Sequence, residues 1–127
     1  MKFTIPWVPP TLNEYSRAHW KRQRDLVDIA YAYMIAALGN DRDKFRKSEP
    51  HRVRVTIQQH RQRPVDRDNL TPKVLIDALV RLRVVDDDDE EHMEQVVRPA
   101  IVDRKAAPFT EITLESIEYV DLAKTNV

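Results

Sequence analysis

The sequence predicts a single-domain α/β protein of the α+β kind, in which a small mixed β-sheet packs against two main helices. Two observations predict this class. Segments whose apolar residues recur every two positions are interspersed with segments whose apolar residues recur about every 3.6 positions. The chain has 127 residues with no glycine- and serine-rich linker. At roughly 100–200 residues per domain, residues 1–127 are expected to form one domain.

The predicted elements are, in chain order, a strand at residues 2–6, a helix at 16–38, a loop at 40–51, a strand at 52–60, a helix at 72–82, and strands at 95–103 and 110–119.

The first strand places Phe3 and Ile5 on one face. The first helix is predicted from apolar residues at helical spacing, and Gly39 is a natural C-terminal cap for it. Its predicted apolar stripe comprises Trp20, Val27, Tyr31, Met34, Ile35 and Leu38. The aromatic residues Trp7, Tyr15 and Trp20 either pack in the core or stack on nucleic-acid bases.

The second strand alternates cleanly, with Val53, Val55 and Ile57 facing one way. Thr71 can cap the second helix, and Pro72 suits its first position. The apolar stripe of that helix comprises Val74, Leu75, Ala78, Leu79 and Leu82. Pro99 predicts that the third strand lies at a sheet edge or contains a bulge, because proline has no amide hydrogen to donate to a neighbouring strand.

Several classes of protein are excluded by composition. The chain has no cysteine, which excludes a disulfide framework, a cysteine zinc site and a thiol nucleophile. Its longest stretch without charge, residues 29–40, is 12 residues long. Since a membrane span needs about 20 apolar residues, and no signal peptide is evident at the N-terminus, we expect a cytoplasmic protein without membrane contact.

The charges are unevenly distributed along the chain. Lysine plus arginine and aspartate plus glutamate each total 21, so the net charge is zero. Residues 1–63, however, hold 13 basic and 6 acidic residues, a balance of +7, whereas residues 64–127 hold 8 and 15, a balance of −7. Zero net charge argues against non-specific binding to nucleic acids, but the basic half of the sequence can still form a DNA-facing surface.

Asp66 and Asp68 stand two residues apart in a stretch expected to be extended. Alternate residues of an extended chain point to the same side, so both carboxylates can face one Mg²⁺ ion. The alternative is that both are ordinary turn residues beside Pro64 and Asn69.

An acidic run at residues 86–91, four aspartates followed by two glutamates, can supply a third metal ligand. The alternative is a solvated loop. Lys73, in the first turn of the second helix, opposes the helix dipole and can aim at a phosphate, or can simply pair with Asp77 four residues later. His92, beside the acidic run, is a further candidate ligand.

These features together resemble the RusA family of Holliday-junction resolvases, small endodeoxyribonucleases of phage and prophage origin. Residues 5–15, IPWVPPTLNEY, are similar to the family's opening strand and its Pro-Trp-x-Pro-Pro-Ser-x-Asn-x-Tyr segment. Residues 66–70, DRDNL, resemble its Asp-x-Asp-Asn-Leu signature, and residues 76–79 and 84–88 resemble its helix and closing Asp-Asp pair. Two positions depart from the pattern. Three residues rather than two separate Asn69 from Lys73. Arg83 stands where the family has a glycine at the end of this helix.

The resemblance implies a Mg²⁺-dependent homodimer (with Mn²⁺ as an alternative metal) that makes paired nicks at four-way DNA junctions in recombination and repair. It implies Asp66, Asp68 and Asp88 as catalytic metal ligands, with Asp87 as a neighbouring ligand and Lys73 as the family's lysine. Within the run of four aspartates, Asp87 or Asp89 can replace Asp88 as the third ligand. The expected host is a phage, a prophage or a bacterium, with the protein associated with the nucleoid.

The basic residues near these acids are the expected phosphate-contacting surface. They are Arg52, Arg54, Arg61, Arg63, Arg67, Arg17, Lys21, Arg22 and Arg24. Two alternative functions remain open at this point. One is a non-catalytic module of the same fold that binds branched DNA, and the other is a nuclease that acts on flaps or replication forks.

Overall fold

The structure is a computed structural model that describes residues 1–45 and 51–118, without the side chains of residues 42, 44 and 45. The strands of the described ranges are β1 (Lys2–Ile5), β2 (Arg52–Arg61), β3 (Met93–Val97), β4 (Ile101–Val102) and β5 (Phe109–Ile117). The α-helices are α1 (Leu12–Arg17), α2 (Trp20–Leu38) and α3 (Lys73–Arg81). Two 3₁₀ turns, Gly39–Phe45 and Arg67–Asn69, complete the described elements.

The strands form one mixed sheet around β2. The order is β1-β5-β2-β3, and β4 also pairs with β2, beyond the end of β3. β5 runs antiparallel to both β1 and β2, whereas β3 and β4 run parallel to β2. The mixed sheet with its helices confirms the predicted fold class.

Alternation along β2 decides which face of the sheet is covered. Val53, Val55 and Ile57 are fully buried, as predicted, while the residues between them are only partly buried. They share one core with Phe3 and Ile5 of β1 and with the apolar faces of α2 and α3. The opposite face carries polar and charged side chains, so the molecule has helices on one side of the sheet.

The long helix predicted at residues 16–38 is two helices. The chain is extended at Ala18, and α2 begins at Trp20 after His19, whose Nδ1 accepts a hydrogen bond from the Lys21 amide at 3.2 Å. The buried stripe of α2 comprises Leu26, Ala30, Met34 and Leu38. The prediction that Trp20 belongs to this stripe is wrong, because Trp20 stands at the helix start and is 55% exposed.

The other predicted elements are largely confirmed. Gly39 ends α2 with a positive φ of 52°. The strand predicted at 95–103 is interrupted around Pro99 into β3 and β4, because proline has no amide hydrogen with which to continue the ladder. In the predicted loop 40–51, residues 39–45 form a 3₁₀ turn and residues 46–50 lie outside the described ranges. Residue 119, the predicted end of the last strand, also lies outside them.

The start of α3 lies one residue later than predicted, since Pro72 takes the capping position and Lys73 is the first helical residue. The hydroxyl of Thr71 accepts a hydrogen bond from the Lys73 amide at 3.3 Å, and the carbonyl of Pro72 accepts one from the Ile76 amide at 2.9 Å. Pro72 therefore makes the first helical bond, as a proline at a helix start can without losing a needed donor. The predicted stripe of five apolar residues is buried throughout.

The end of α3 is closed by a pair of bonds typical of a left-handed C-terminal cap. The Val84 amide donates to the Leu79 carbonyl at 3.2 Å, and the Arg83 amide donates to the Val80 carbonyl at 2.9 Å. Arg83 has φ 63°, a conformation that glycine adopts far more readily than arginine. The backbone at Arg83 therefore has the left-handed conformation expected of a glycine at this position, and the chain continues from there into the acidic run. In the described ranges, no helix has the length and apolarity needed to cross a membrane.

We expect Arg83→Gly to raise the free energy of unfolding by about 1 kcal/mol, because glycine removes the steric cost of the left-handed conformation. The exposed Arg83 side chain offers little packing to lose. The measurement is the midpoint of urea unfolding. Gly39→Ala, which places a side chain at the other positive φ, is the matched control and is expected to lower the midpoint. A lower midpoint for Arg83→Gly would contradict the account.

Candidate functional site

Asp66 and Asp68 lie in a tight turn that follows β2. Asp66 is extended, but Asp68 belongs to the 3₁₀ turn Arg67–Asn69. The turn is closed by bonds from the Asn69 amide to the Asp66 carbonyl at 2.8 Å and from the Leu70 amide to the Arg67 carbonyl at 3.1 Å. The predicted extended stretch is therefore wrong for Asp68, since the chain must fold back here from β2 toward α3. Successive residues of a 3₁₀ turn are about 120° apart, so alternation does not align these carboxylates.

Asp66 and Asp68 nevertheless line the same open cavity. The cavity has a volume of about 500 Å³, and its wall comprises Leu12, Asn13, Asp66, Arg67, Asp68 and Asn69. Among the described residues, neither aspartate side chain has a hydrogen-bond or ion-pair partner. Two unpartnered carboxylates at one concave surface are available to a cation.

Asn69 joins this turn to α1. Its Oδ1 accepts a hydrogen bond from the Asn13 amide at 3.0 Å. Because an N-terminal amide of a helix has no partner within the helix, a side-chain oxygen from elsewhere in the chain can satisfy it. The bond places the first turn of α1 along the wall of the cavity. The sequence motif drew attention to Asn69, but nothing local to residues 12–17 pointed to this role for Asn13.

Arg61, predicted to contact phosphates, is partly buried and already engaged. Its Nε donates to Gln59 Oε1 at 2.8 Å, and a terminal nitrogen donates to the Pro9 carbonyl. Burial lowers the pKa of Arg61, while the nearby carboxylate of Glu14 raises it in part. The guanidinium thus joins the end of β2 to the N-terminal segment, and the Glu14 carboxylate of α1 lies near enough to affect its pKa.

A second cavity lies at the start of α3. It has a volume of about 240 Å³ and is lined by Pro72, Lys73, Ile76, Asp77, Asp88 and Gln95. Lys73 Nζ lies 3.6 Å from Asp77 Oδ2, so the predicted pairing within the helix is present. Lys73 and Asp88 therefore share one cavity while Asp66 and Asp68 share another. The connection from Asn69 to Pro72 links the two.

The four aspartates of the acidic run differ in their partners. Asp86 Oδ2 lies 3.1 Å from Nδ1 of the buried His51, close enough for an ion pair with a protonated ring but without hydrogen-bond geometry. Asp87 Oδ1 accepts from the Asp88 amide at 2.7 Å. Asp89 Oδ1 accepts from the His92 amide at 3.0 Å and lies 2.6 Å from His92 Nδ1. Among described partners, only the Asp88 side chain of these four is free of such contacts.

Asp89, Glu91 and His92 form a separate cluster. Their ligand atoms lie within 4.8 Å of one another, and within the described ranges no other three carboxylate or imidazole groups meet this closely. The hydrogen bond from His92 lowers the pKa of Asp89. Burial by itself lowers the pKa of His92, but the hydrogen bond and charge of Asp89 outweigh it, and the net pKa is raised. Hydrogen bonds join Asp89 and His92 within this cluster.

The nine basic residues predicted to bind DNA occupy four places. Arg52 and Arg54 lie on the open face of the sheet, where Arg54 Nε is 3.1 Å from Glu94 Oε2 and Arg52 Nε donates to the Glu90 carbonyl at 2.9 Å. Arg61 is the internal anchor described above. The exposed members are Arg63 and Arg67 near the Asp66 turn, and Arg17, Lys21, Arg22 and Arg24 around the start of α2.

Comparison with known proteins adds no family assignment: no protein-family model matches the chain, and a search of curated proteins finds no match.

Glu14, which closes the cap of α1, makes part of the stability dependent on pH. Its carboxylate accepts hydrogen bonds from the Thr11 amide at 3.2 Å and the Thr11 hydroxyl at 2.9 Å, and with the charge of Arg61 these lower its pKa below the ordinary 4.5. A lowered pKa favours the folded state above the ordinary value, and this stabilisation is lost as pH falls through the folded pKa.

We therefore expect the wild type to lose stability relative to Glu14→Gln as pH falls from about 6 to about 3, because glutamine keeps a cap acceptor but cannot titrate. Urea midpoints across this range measure the difference. Glu118→Gln, at an exposed side chain beyond β5, is the control and should track the wild type. Parallel pH curves for Glu14→Gln and the wild type would refute the prediction.

Proposed function

We propose that this protein is a divalent-metal-dependent endodeoxyribonuclease that nicks four-way DNA junctions. The proposal is carried by one observation: Asp66 and Asp68, in the turn that follows the central strand, expose two unpartnered carboxylates to one cavity of about 500 Å³. Neither carboxylate has a partner among the described residues, so both negative charges can attract a cation at this cavity.

The donor set suits Mg²⁺, or Mn²⁺ in its place. Mg²⁺ prefers oxygen ligands, retains several waters, and commonly takes only one or two carboxylates from the protein. Asp66 and Asp68 would hold it. When bound, such a metal would activate water and stabilise charge on the scissile phosphate. Hydrolysis would then leave a 5′-phosphate and a 3′-hydroxyl.

Asp88 is the member of the acidic run that best fits a third ligand. Asp86, Asp87 and Asp89 each have a partner within the chain, whereas Asp88 faces the second cavity beside Lys73. Its carboxylate would approach the metal through the waters that Mg²⁺ retains. Lys73 would bind a phosphate of the substrate, and Asp77 at 3.6 Å orients its ammonium group.

The choice of a junction as substrate, a two-fold homodimer as the active form, and a cytoplasmic place of action on phage or bacterial DNA rests on the resemblance to the RusA family. A two-fold dimer would present two equivalent sites to the symmetry-related strands of a junction, which suits paired nicking.

A second candidate function is binding of branched DNA without cleavage. It is favoured by the separation of Asp66 and Asp68 from Asp88 into two cavities, since the expected ligands do not form a close group of three within the described ranges. Gel shifts of a four-way junction without cleavage in Mg²⁺ or Mn²⁺ would favour it over the nuclease.

We expect Asp68→Asn and Asp88→Asn each to slow nicking of a synthetic four-way junction in Mg²⁺ at least about 100-fold, because each removes charge from the reacting centre. Asp87→Asn is expected to remain close to wild type, since an amide oxygen still accepts the Asp88 amide. Asp25→Asn, which lines neither cavity, is the charge-matched control. Flap, fork and duplex substrates in the same assay separate a junction resolvase from a nuclease of other specificity. Nicking by Asp68→Asn at the wild-type rate would contradict the assignment of this active site.

Metal location is tested separately with Mn²⁺, which broadens NMR signals near its binding site. We expect amide signals of residues 66–69 and of Asn13 to vanish at lower Mn²⁺ concentration than that of His92. Asp68→Asn should raise the concentration needed at least about tenfold. If the His92 signal vanishes first, the metal binds the cluster of Asp89, Glu91 and His92 instead.

A further inference from the structure

An exposed tryptophan at the start of α2 stands among cations. Trp20 is 55% exposed, the largest exposure of any large apolar side chain in the described ranges. Lys21 Nζ lies 5.6 Å and Arg24 Cζ 5.2 Å from the centroid of its ring, and the ring of His19 lies 5.5 Å away. The indole thus remains more than half open while its cationic neighbours are in cation–π range.

Trp20 lies in a basic stretch of the sequence that is bounded by the acidic residues Glu14 and Asp25. Residues 15–24 include four cations and no acid, namely Arg17, Lys21, Arg22 and Arg24. None of the four makes an ion pair with a described acidic residue. Cations in the first turn of a helix oppose its dipole, so Lys21 and Arg22 do not stand there to stabilise α2.

This corner is fixed to the wall of the carboxylate cavity. The side chain of Gln23 donates to the Tyr15 carbonyl at 2.9 Å, which joins the first turn of α2 to α1. α1 in turn lines the cavity through Leu12 and Asn13 and is bonded to Asn69. The basic corner around Trp20 and the wall of the carboxylate cavity are therefore joined through α1.

We propose that Trp20 is a stacking platform for an unpaired base of the DNA substrate, with Lys21, Arg22 and Arg24 holding the phosphates that flank that base. An aromatic face within a basic surface binds single-stranded segments because stacking and phosphate contacts act on neighbouring parts of one nucleotide. The inference rests on the proposed action on DNA and deepens it: the feature recognised is a base that has left the duplex stack, as at a branch point.

Trp20 can be observed directly because the chain has only two tryptophans. Trp7 is partly buried and stacks on Tyr33 with ring centroids 6.3 Å apart. In a Trp7→Phe background, all indole fluorescence comes from Trp20. If that variant does not fold, the difference in signal between wild type and Trp20→Phe gives the same quantity.

The experiment compares metal-free binding to a duplex with one bulged base and to the same duplex with an abasic residue at the bulge. We expect the bulged base to quench Trp20 fluorescence and the abasic bulge to leave it nearly unchanged. Trp20→Ala should weaken binding to the bulged duplex about 5- to 150-fold, the range seen when stacking aromatics are truncated. Trp20→Phe should retain most of the affinity. Lys21→Gln should weaken binding to both duplexes equally. It should also lower the salt dependence of binding by the amount expected for about one phosphate contact.

Equal quenching by the base and the abasic bulge, or unchanged affinity of Trp20→Ala, would overturn the inference. So would conversion of a dimer to a monomer by Trp20→Ala, because the indole would then belong to a contact between two copies. Failure of the nuclease proposal gives a different result: base-dependent quenching persists while no DNA is cleaved in Mg²⁺. Normal cleavage with no effect of Trp20→Ala on binding would refute the stacking site alone.

Discussion

Pairing of β2 along both of its edges is the constraint on which the other elements depend. β5 lies antiparallel along residues 52–60, and β3 and β4 lie parallel along the other edge. A parallel neighbour requires the chain to cross back over the sheet between β2 and β3, and α3 makes that crossing. Because side chains alternate, the same strand that buries Val53, Val55 and Ile57 must leave its other face to polar groups. The sheet consequently has one face for the core and one for solvent.

The candidate site is built where this strand ends and the chain must turn toward α3. The turn is held from outside by side chains distant in sequence: Asn69 bonds to Asn13, and Arg61 bonds to the carbonyl of Pro9. These contacts satisfy backbone groups of the N-terminal segment and fix α1 against the turn. Asp66 and Asp68 are thereby left on an exposed wall without partners among the described residues.

Net charge by itself describes this protein poorly. The excess of basic residues in the first half includes an interior anchor at Arg61, Arg54 paired with two glutamates on the open sheet face, and a basic corner at the start of α2 that has no ion pair with a described residue. The acidic run similarly divides into aspartates with partners and Asp88, which faces a cavity with Lys73. Electrostatic attraction for a polyanion therefore depends on which charges lack internal partners, since a paired charge contributes little to the external field.

Local patterns in the sequence determined the strand and helix periods, the buried stripe of α3, the cap at Gly39 and the interruption at Pro99, because each depends on residues within a few positions of one another. The left-handed cap at Arg83 follows a glycine-type path that arginine does not favour by itself. Tertiary structure alone decided the rest. It broke the first helix at Ala18, turned Trp20 outward, bent Asp68 into a 3₁₀ turn and withdrew Arg61 from the surface. The break before α2 is a helix boundary that apolar periodicity does not mark, although the capping box of Thr11 and Glu14 is a local signal for the start of α1. Arg61 and the turn at Asp68 depend also on contacts with Pro9 and Asn13, more than 50 residues away, and no local pattern encodes such contacts.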